Sequence, residues 1–288
     1  MTSAETKHSD YPHERGRVRI APAGLVIEGV SIAGHESYYK LPGFRCLLEY
    51  GRAPEDTVGY ATVLLSHGHL DHAAGLAHHA SRRRLGGLPP PRVFVPEEAA
   101  DDFQAWIAAS ERLEGIRYGV ELVRAAPGAA VSLRKDLEVL VLPGRHRVPS
   151  VGYLFREVRH KLQDAFAGRS PVELAALRQA GAVLTRREEM PLLAYTGDCG
   201  VEIFDAAPEI FRARVLLIEC SFVRPDDAPR AREYGHLHLQ DFVDRAEHFE
   251  NEAVVLTHFS LRYTASEIRE TLKSLPESLA RRVVPFLG

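Results

Sequence analysis

Four potential metal ligands fall close together in this chain, directly after a short apolar run. Residues 66–73 read SHGHLDHA, which places His67, His69, Asp71 and His72 one after another. If a strand ends here, four imidazole and carboxylate groups crowd one strand terminus. Alternate residues of one turn cannot all bind a single ion with good geometry, so the spacing favours two adjacent cations, with the first two histidines on one and Asp71 and His72 on the other. Such ligands favour Zn²⁺, with Mn²⁺ or Fe²⁺ as alternatives.

Three more residues of ligand type follow apolar runs later in the chain. His146 comes after the run LEVLVLP, Asp198 ends the string LLAYTGD, and His258 stands in VVLTHFS. Each occupies the carboxyl end of a predicted strand, so we expect all three to join the first four ligands. Asp198 is the natural residue to bridge two cations, because one carboxylate can bind both. The pattern predicts a site with seven ligands, although any one of these later residues, taken alone, could be an ordinary loop side chain.

The composition is that of an ordinary soluble globular protein. Of the 288 residues, 45% are hydrophobic and 26% are charged, which argues against disorder or a coiled coil. No run approaches the ~18 apolar residues of a membrane-spanning helix, so no membrane association is expected. Three cysteines without paired spacing indicate a reducing compartment, hence a cytoplasmic location. The formal net charge is −3, so any binding of nucleic acid would depend on local arginine clusters.

Apolar runs typical of strands alternate with helical patterns. Both halves of the chain are strand-rich with a few helices, which predicts an α/β fold of two packed sheets with helices outside, an αββα sandwich. We expect residues 1–20 to form a loose polar leader, residues 21–288 to form one domain, and the polar segment 161–187 to project from it. The predicted strands are Gly24–Ile32, Phe44–Tyr50, Thr62–Ser66, Arg92–Val95, Val120–Val123, Leu137–Leu142, Val151–Phe155, Leu192–Thr196, Val215–Glu219 and Val254–Thr257, and the predicted helices are Ala73–Arg83, Glu97–Leu113, Val172–Ala180, Leu239–Phe249 and Ser266–Leu275.

The motif H-x-H-x-D-H, followed in order by His146, Asp198 and His258, resembles the metallo-β-lactamase superfamily. Within it, the chain resembles the short, plant-type form of ribonuclease Z (tRNase Z), the endonuclease that matures tRNA 3′ ends. His236 matches the catalytic histidine of that family, although Leu237 and the histidine after it depart from its usual GHST. The resembling segments include IEGVSIAGHES at 27–37, HRVPSVGY at 146–153, IECSF at 218–222, YGHLH at 234–238 and THFSLRY at 257–263.

The resemblance implies a metal-dependent, homodimeric endoribonuclease that removes 3′ trailers from precursor tRNA. Two divalent cations would polarise the scissile phosphate and lower the pKa of a bridging water. Asp71 would hold one metal and accept the proton of the water, and His236 would protonate the leaving 3′-oxygen. Glu219 is expected to orient that histidine. Ser260 and Arg262, just past a metal ligand, are expected to hold the phosphate by charge-assisted hydrogen bonds.

Two alternatives remain open, because the fold alone does not choose a substrate. One is a hydrolase of the same fold that acts on a small phosphodiester or on a glutathione thioester. A thioesterase needs no acid at His236, because a thiolate leaves readily. The other is a binding module that kept the fold, which the intact ligand set disfavours. The interval from His146 to Asp198 also lacks the long Gly/Pro-rich arm of many bacterial ribonuclease Z enzymes, so Lys161–Arg187 is either a reduced basic docking arm or a solvated face.

Overall fold

Two seven-stranded sheets pack face to face, and helices cover their outer surfaces. They belong to a computed structural model that describes residues 16–52 and 54–287. The arrangement confirms the predicted αββα sandwich. Most of the predicted leader lies outside the described residues, whereas its last three residues, Val18–Ile20, form the first strand. Within the described part of the chain, no helix is long and apolar enough to cross a bilayer.

The strands of each sheet follow one another in chain order, each hydrogen-bonded to the next. The first sheet consists of β1 (Val18–Ile20), β2 (Ile27–Ile32), β3 (Glu36–Leu41), β4 (Cys46–Leu48), β5 (Thr62–Leu64), β6 (Arg92–Pro96) and β7 (Glu121–Ala125). The second consists of β8 (Ala130–Arg134), β9 (Leu137–Pro143), β10 (Val151–Leu162), β11 (Thr185–Tyr195), β12 (Val215–Glu219), β13 (Ala253–Thr257) and β14 (Val283–Pro285). The helices are α1 (Leu70–Ala73), α2 (Leu76–Leu85), α3 (Ala100–Glu114), α4 (Pro171–Gln179), α5 (Ile203–Ala206), α6 (Ala228–Tyr234), α7 (Leu239–Val243), α8 (Ala265–Thr271) and α9 (Glu277–Ala280).

Strand direction brings four loops to one edge of the sandwich. Strands β4 to β7 are parallel, as are β11 to β14. Strand β9 runs in the same direction as β11, because both pair antiparallel with β10. Hydrogen bonds join the two sheets where β5 ends: the Val151 N–H donates to the Ser66 carbonyl (2.9 Å), and the Tyr153 hydroxyl donates to the Leu65 carbonyl (2.6 Å). The loops after β5, β9, β11 and β13 therefore emerge side by side.

The side chains of β9 alternate between two apolar layers, because successive residues of a strand point to opposite faces. Leu137, Val139 and Val141 pack in the core between the sheets, whereas Leu140 and Leu142 face the outer helices. Both faces of the strand are covered, which explains its nearly continuous apolar run. Burying each such side chain fully contributes about 1.5–3 kcal/mol.

The apolar pattern misses several strands, and polarity does not explain all of them, because Tyr38, Tyr39 and Leu41 of β3 are buried and β14 reads VVP. Strands β1, β3, β8 and β14 were not predicted, and the pattern detects only the inner ends of the long hairpin formed by β10 and β11. Beyond Phe155 this hairpin is held by ion pairs across the strands. Arg187 contacts Glu138 (2.9 Å) and Glu189 (2.7 Å), and Arg156 contacts the same two carboxylates. The segment 161–187 forms the mostly exposed tip of the hairpin, with α4 inside it.

Two helices are shorter than the sequence predicts. The predicted helix Glu97–Leu113 opens with a 3₁₀ turn at Glu97–Ala99, and α3 begins only at Ala100. The predicted helix Leu239–Phe249 already ends at Val243. Such ends reflect local hydrogen bonding that apolar periodicity does not report.

Candidate metal centre

The seven predicted ligands lie together at the edge where the loops emerge. The loop after β5 carries His67 and His69, and α1, which follows this loop, carries Asp71 and His72. The other three follow β9, β11 and β13, as the sequence predicts. The seven side chains fall into two groups whose candidate ligand atoms lie within 4.8 Å of one another: His67, His69, His146 and Asp198 in the first, and Asp71, His72 and His258 in the second.

Asp198 connects the two groups. One of its carboxylate oxygens lies 3.4 Å from His72 Nε2, and the other lies 3.3 Å from His258 Nε2. The second oxygen is also 3.8 Å from His67 Nε2 in the first group. This carboxylate therefore faces both groups, in the position that a bridging ligand requires.

The spacing of the donor atoms fits divalent metal ions. In the first group, His146 Nε2 lies 3.4 Å from His69 Nδ1, and in the second, His72 Nε2 lies 3.3 Å from His258 Nε2. Ligands about 2.0–2.2 Å from a tetrahedral ion lie roughly 3.3–3.6 Å apart. The Nε2 atom of His67 is fully buried and has no hydrogen-bond partner among the described residues. A buried nitrogen of this kind, aimed at a carboxylate, is what a metal ligand looks like without its ion.

Neighbouring polar groups fix the orientation of three of these imidazole rings. The Nδ1 atom of His146 contacts the Gly235 carbonyl oxygen at 3.1 Å, so that Nε2 faces the ligand group. His67 Nδ1 contacts the Ser66 hydroxyl at 2.9 Å, and His258 Nδ1 contacts a second serine hydroxyl, that of Ser221, at 2.9 Å. Outer contacts of this kind hold histidine ligands in place around metals.

Glu49 is a member of this outer layer that the sequence reasoning missed. Its buried carboxylate lies 3.6 Å from His72 Nδ1 and accepts hydrogen bonds from the Ser66 N–H (3.1 Å) and the Tyr195 hydroxyl (2.8 Å). It is the first residue after β4 and adopts a left-handed conformation, with a φ of 59°. The signal that the sequence offered for Glu49 was a single carboxylate directly after the apolar run CLL.

The electrostatics of the cluster suit a cation. Burial lowers the pKa of His67, and it also lowers the pKa values of His69 and His146, so these rings are neutral and their lone pairs are available. Burial acts against ionisation of Asp198, but His258 and His72 hold the pKa of its carboxyl well below its ordinary value. The ionised carboxylate and the three neutral imidazoles of the first group are a donor set for a divalent ion.

Asp71 is tied to a neighbouring turn as well as to its group. One carboxylate oxygen accepts a hydrogen bond from the Gly34 N–H at 2.8 Å, and the same oxygen lies 3.6 Å from His72 Nε2 and 3.6 Å from His258 Nε2. Burial opposes its ionisation, but contact with His258 and the charge of His72 lower the pKa of the Asp71 carboxyl. The side chain is therefore an anion.

A carboxylate–imidazole pair lies beside the two groups. Glu219, at the end of β12, is buried, and its Oε1 atom lies 2.6 Å from His236 Nδ1. The other oxygen of Glu219 accepts from the Ser221 hydroxyl at 2.6 Å. Burial lowers the pKa of His236, but the Glu219 carboxylate outweighs it and raises that pKa to about 9. The ring centroid of His236 lies 5.2 Å from that of His146 and 5.4 Å from that of His258, so the pair adjoins both groups.

The loop after β13 carries the two predicted phosphate ligands. The Ser260 N–H donates to the Ser221 carbonyl at 3.0 Å, which holds this loop against the residue that contacts His258. Arg262 is exposed, and its guanidinium has no ion-pair partner in the described part of the chain. Tyr263 is buried instead, with its hydroxyl donating to Asp227 at 2.6 Å.

Comparisons with known proteins show the family to which the chain belongs. A family model described as a β-lactamase superfamily domain matches residues 41–259. The chain is 33% identical to tRNase Z TRZ1 of Arabidopsis thaliana over 265 residues, which cover 90% of the chain and 94% of that relative. It is 31% identical to the chloroplastic tRNase Z TRZ2 of the same plant over 292 residues, which cover 99% of the chain and 82% of the relative.

Two solved structures share the fold. The metallo-β-lactamase-fold protein YhfI from Bacillus subtilis aligns with a TM-score of 0.60 and 15% identity, over 88% of this chain and 92% of that one. The short form of human tRNase Z aligns with a TM-score of 0.50 and 18% identity, over 86% of this chain and 92% of that one. At these identities the likeness shows the architecture alone.

Removal of bound metal is expected to destabilise the protein, because only the folded chain brings these donor atoms together. If free metal exceeds its dissociation constant about 1,000-fold, binding stabilises the folded state by about 4 kcal/mol. Thermal unfolding of the metal-loaded protein, with and without a chelator, measures this effect. We expect a clearly lower midpoint with the chelator.

Asp198→Asn should remove most of that difference, because this side chain faces both groups. His78→Ala, which changes an exposed histidine on α2, is the matched control and should keep it. Equal midpoints for the unmodified protein with and without the chelator would contradict a metal centre at this edge.

Proposed function

The chain belongs to the metallo-β-lactamase superfamily and, within it, to the tRNase Z family, and from this premise we propose that it is an endoribonuclease that removes 3′ trailers from precursor tRNA. The observation that carries the proposal is the pair of Glu219 and His236 beside the candidate metal centre. The oxygen that leaves a phosphodiester during hydrolysis is a poor leaving group unless it is protonated. A histidine held in its charged form supplies that proton.

We assign the seven ligands to two divalent ions, with zinc as the ion that fits the donor set. His67, His69 and His146 would hold one ion, and Asp71, His72 and His258 the other, with Asp198 shared between them. Donor separations of 3.3–3.8 Å between these side chains support the assignment. Two divalent ions held by these residues would neutralise charge on the scissile phosphate and would lower the pKa of a water molecule.

His236 is the general acid in this proposal. With a pKa raised to about 9, it carries a proton at neutral pH. Its Nδ1 atom is occupied by Glu219, which leaves Nε2 to donate to the leaving 3′-oxygen. Glu219 itself is fixed by the backbone N–H groups of Cys199 (2.8 Å) and Leu237 (3.3 Å), so it acts as a positioning residue.

Other residues complete the reaction. Asp71 is an anion and accepts the proton of the attacking water, while the Gly34 N–H holds one of its oxygens. Arg262 has a guanidinium without an ion-pair partner among the described residues, and we assign it and Ser260 to the substrate phosphate. The homodimeric state and the cytoplasmic location stay predictions.

His236→Ala should lower kcat for precursor tRNA by about 10²–10⁴-fold, the usual contribution of a general acid. Bound metal, measured on the same preparations, should not change, because the seven ligands are untouched. The assay compares precursor tRNA with a glutathione thioester, whose thiolate leaves without a proton. His78→Ala is again the matched histidine control. Normal cleavage of precursor tRNA by the His236→Ala variant would contradict the catalytic role of His236. If the unmodified protein hydrolyses the thioester and cleaves no RNA, the small-substrate alternative is favoured.

Glu219→Gln should move the alkaline limb of the pH–rate profile to lower pH. Cleavage needs protonated His236, so the rate falls as the pH rises through the pKa of that imidazole. The Glu219 carboxylate raises this pKa, and its removal lowers the pKa by about 1–3 units, the usual effect of a close opposite charge. The measurement is kcat/KM for precursor tRNA from about pH 6 to about pH 10, which covers the ordinary histidine pKa of about 6.5 and the raised pKa of about 9, with metal content as the control. An unshifted limb would contradict the role of the pair.

A further inference from the structure

The projecting hairpin offers little unpaired positive charge for RNA. Most of its cations face carboxylates of the same hairpin or its neighbour, whereas Arg178 on α4 forms no ion pair among the described residues. The ion pairs are Arg159 with Glu157, Lys161 with Glu188, Arg169 with Glu173, Arg186 with Asp164 and Glu188, and Arg187 with Glu138 and Glu189. This pattern is typical of a solvated face. Binding of single-stranded RNA near the metal centre must use other groups.

Arginines without such partners lie at the rim of the metal centre. Arg145 and Arg147 flank His146 in the loop after β9, and Arg230 lies on α6. In the described part of the chain, none of these three guanidinium groups forms an ion pair. An unpaired guanidinium presents its planar donors to a phosphate without first losing a carboxylate partner.

Tyr234 links these arginines to the catalytic residues. It is the last residue of α6 and is 38% exposed. The Arg147 guanidinium carbon lies over its ring at 5.9 Å from the centroid, and the Arg230 guanidinium carbon lies over the same ring at 5.4 Å. The Tyr234 hydroxyl has no hydrogen-bond partner among the residues that the structure describes. The side chain therefore offers a partly exposed ring beside two cations.

The position of this ring follows from the turn after α6. Gly235 adopts a left-handed conformation, with a φ of 69°, and a side chain there would press on Arg147. The Gly235 carbonyl contacts His146 Nδ1, and the next residue is His236. The aromatic ring is therefore two residues from the proposed acid, on a turn that also touches the metal centre.

We propose that Tyr234, Arg147 and Arg230 form a platform for single-stranded RNA, on which the base of the nucleotide that carries the leaving 3′-oxygen stacks. The proposal rests on the proposed function, because His236 identifies that nucleotide as the one next to the ring. Single-stranded RNA is commonly bound by stacking of splayed bases on aromatic side chains, with arginines on the phosphates. The platform thus selects an unpaired nucleotide at the cleavage position.

The test is a double-mutant cycle that combines one change in the enzyme with one change in the RNA substrate. Precursor tRNA with its normal base at that nucleotide is compared with the same RNA carrying an abasic residue there. For the unmodified enzyme, we expect the abasic change to raise KM about tenfold, a typical loss for one stacked base. Tyr234→Ala should raise KM for the normal RNA by a similar factor and cause no further loss with the abasic RNA. Tyr234→Phe should behave like the unmodified enzyme, because the hydroxyl makes no hydrogen bond.

The proposed platform would be wrong if Tyr234→Ala and the abasic residue weakened RNA binding independently of each other. If Tyr234→Ala weakens both RNAs by the same factor, the residue acts through the turn and not through the base. An unchanged KM for the normal RNA would overturn it as well. If the unmodified enzyme does not cleave precursor tRNA at all, the proposed function and the platform fail together. If the enzyme is active but the effects of Tyr234→Ala and the abasic residue are not coupled, only the platform fails.

The arginines are tested by salt dependence. Each contact with a phosphate of single-stranded RNA contributes about 0.7 to the slope of log affinity against log salt concentration. Arg147→Gln and Arg230→Gln should each reduce that slope by about this amount. Arg84→Gln removes the same charge from the exposed end of α2 and should leave the slope unchanged. Equal slopes for all three variants would contradict phosphate binding at the rim.

Discussion

The site depends on one carboxylate, that of Asp198, held where the two sheets meet. Its oxygens face imidazoles that come from both sheets, at 3.3–3.8 Å. The preceding residue makes this approach possible: Gly197 has a φ of 63°, and a side chain there would collide with Ser66. Without a cation, several buried imidazoles would crowd around a single carboxylate at this edge. A divalent ion in each group satisfies both the carboxylate and the unpartnered nitrogen of His67.

The ligands could be predicted from the sequence because each one follows a buried strand. Apolar runs mark such strands well, and strands that point the same way end at the same edge. Glu49 was missed because it stands alone after β4 and acts on His72, not on the proposed ions. The outer half of the long hairpin was missed because ion pairs such as Arg187 with Glu138, and not apolar alternation, hold its strands. The contact of Glu219 with His236 could be expected from the resemblance, but only the fold shows it.

For RNA binding, the positions of the charged side chains matter more than the net charge of the chain. The hairpin tip, one predicted candidate for a basic docking arm, pairs most of its cations with its own carboxylates. Four of the arginines that have no ion-pair partner among the described residues lie around the metal centre, at Arg145, Arg147, Arg230 and Arg262. A chain with a net charge of −3 can therefore present positive charge to RNA just where the scissile phosphate must bind. The same rim carries Tyr234 and the proposed acid His236, so RNA binding and proton transfer would share one short turn.

In the mechanism that we propose, this edge hydrolyses a phosphodiester of precursor tRNA with His236 beside the leaving 3′-oxygen. The most direct test is to map the new ends after cleavage of an end-labelled precursor tRNA by the metal-loaded protein. We expect a 3′-hydroxyl on the tRNA and a 5′-phosphate on the released trailer, because the phosphate stays with the trailer when the 3′-oxygen leaves. A 3′-phosphate on the tRNA, or an intact precursor alongside rapid hydrolysis of a glutathione thioester, would contradict it.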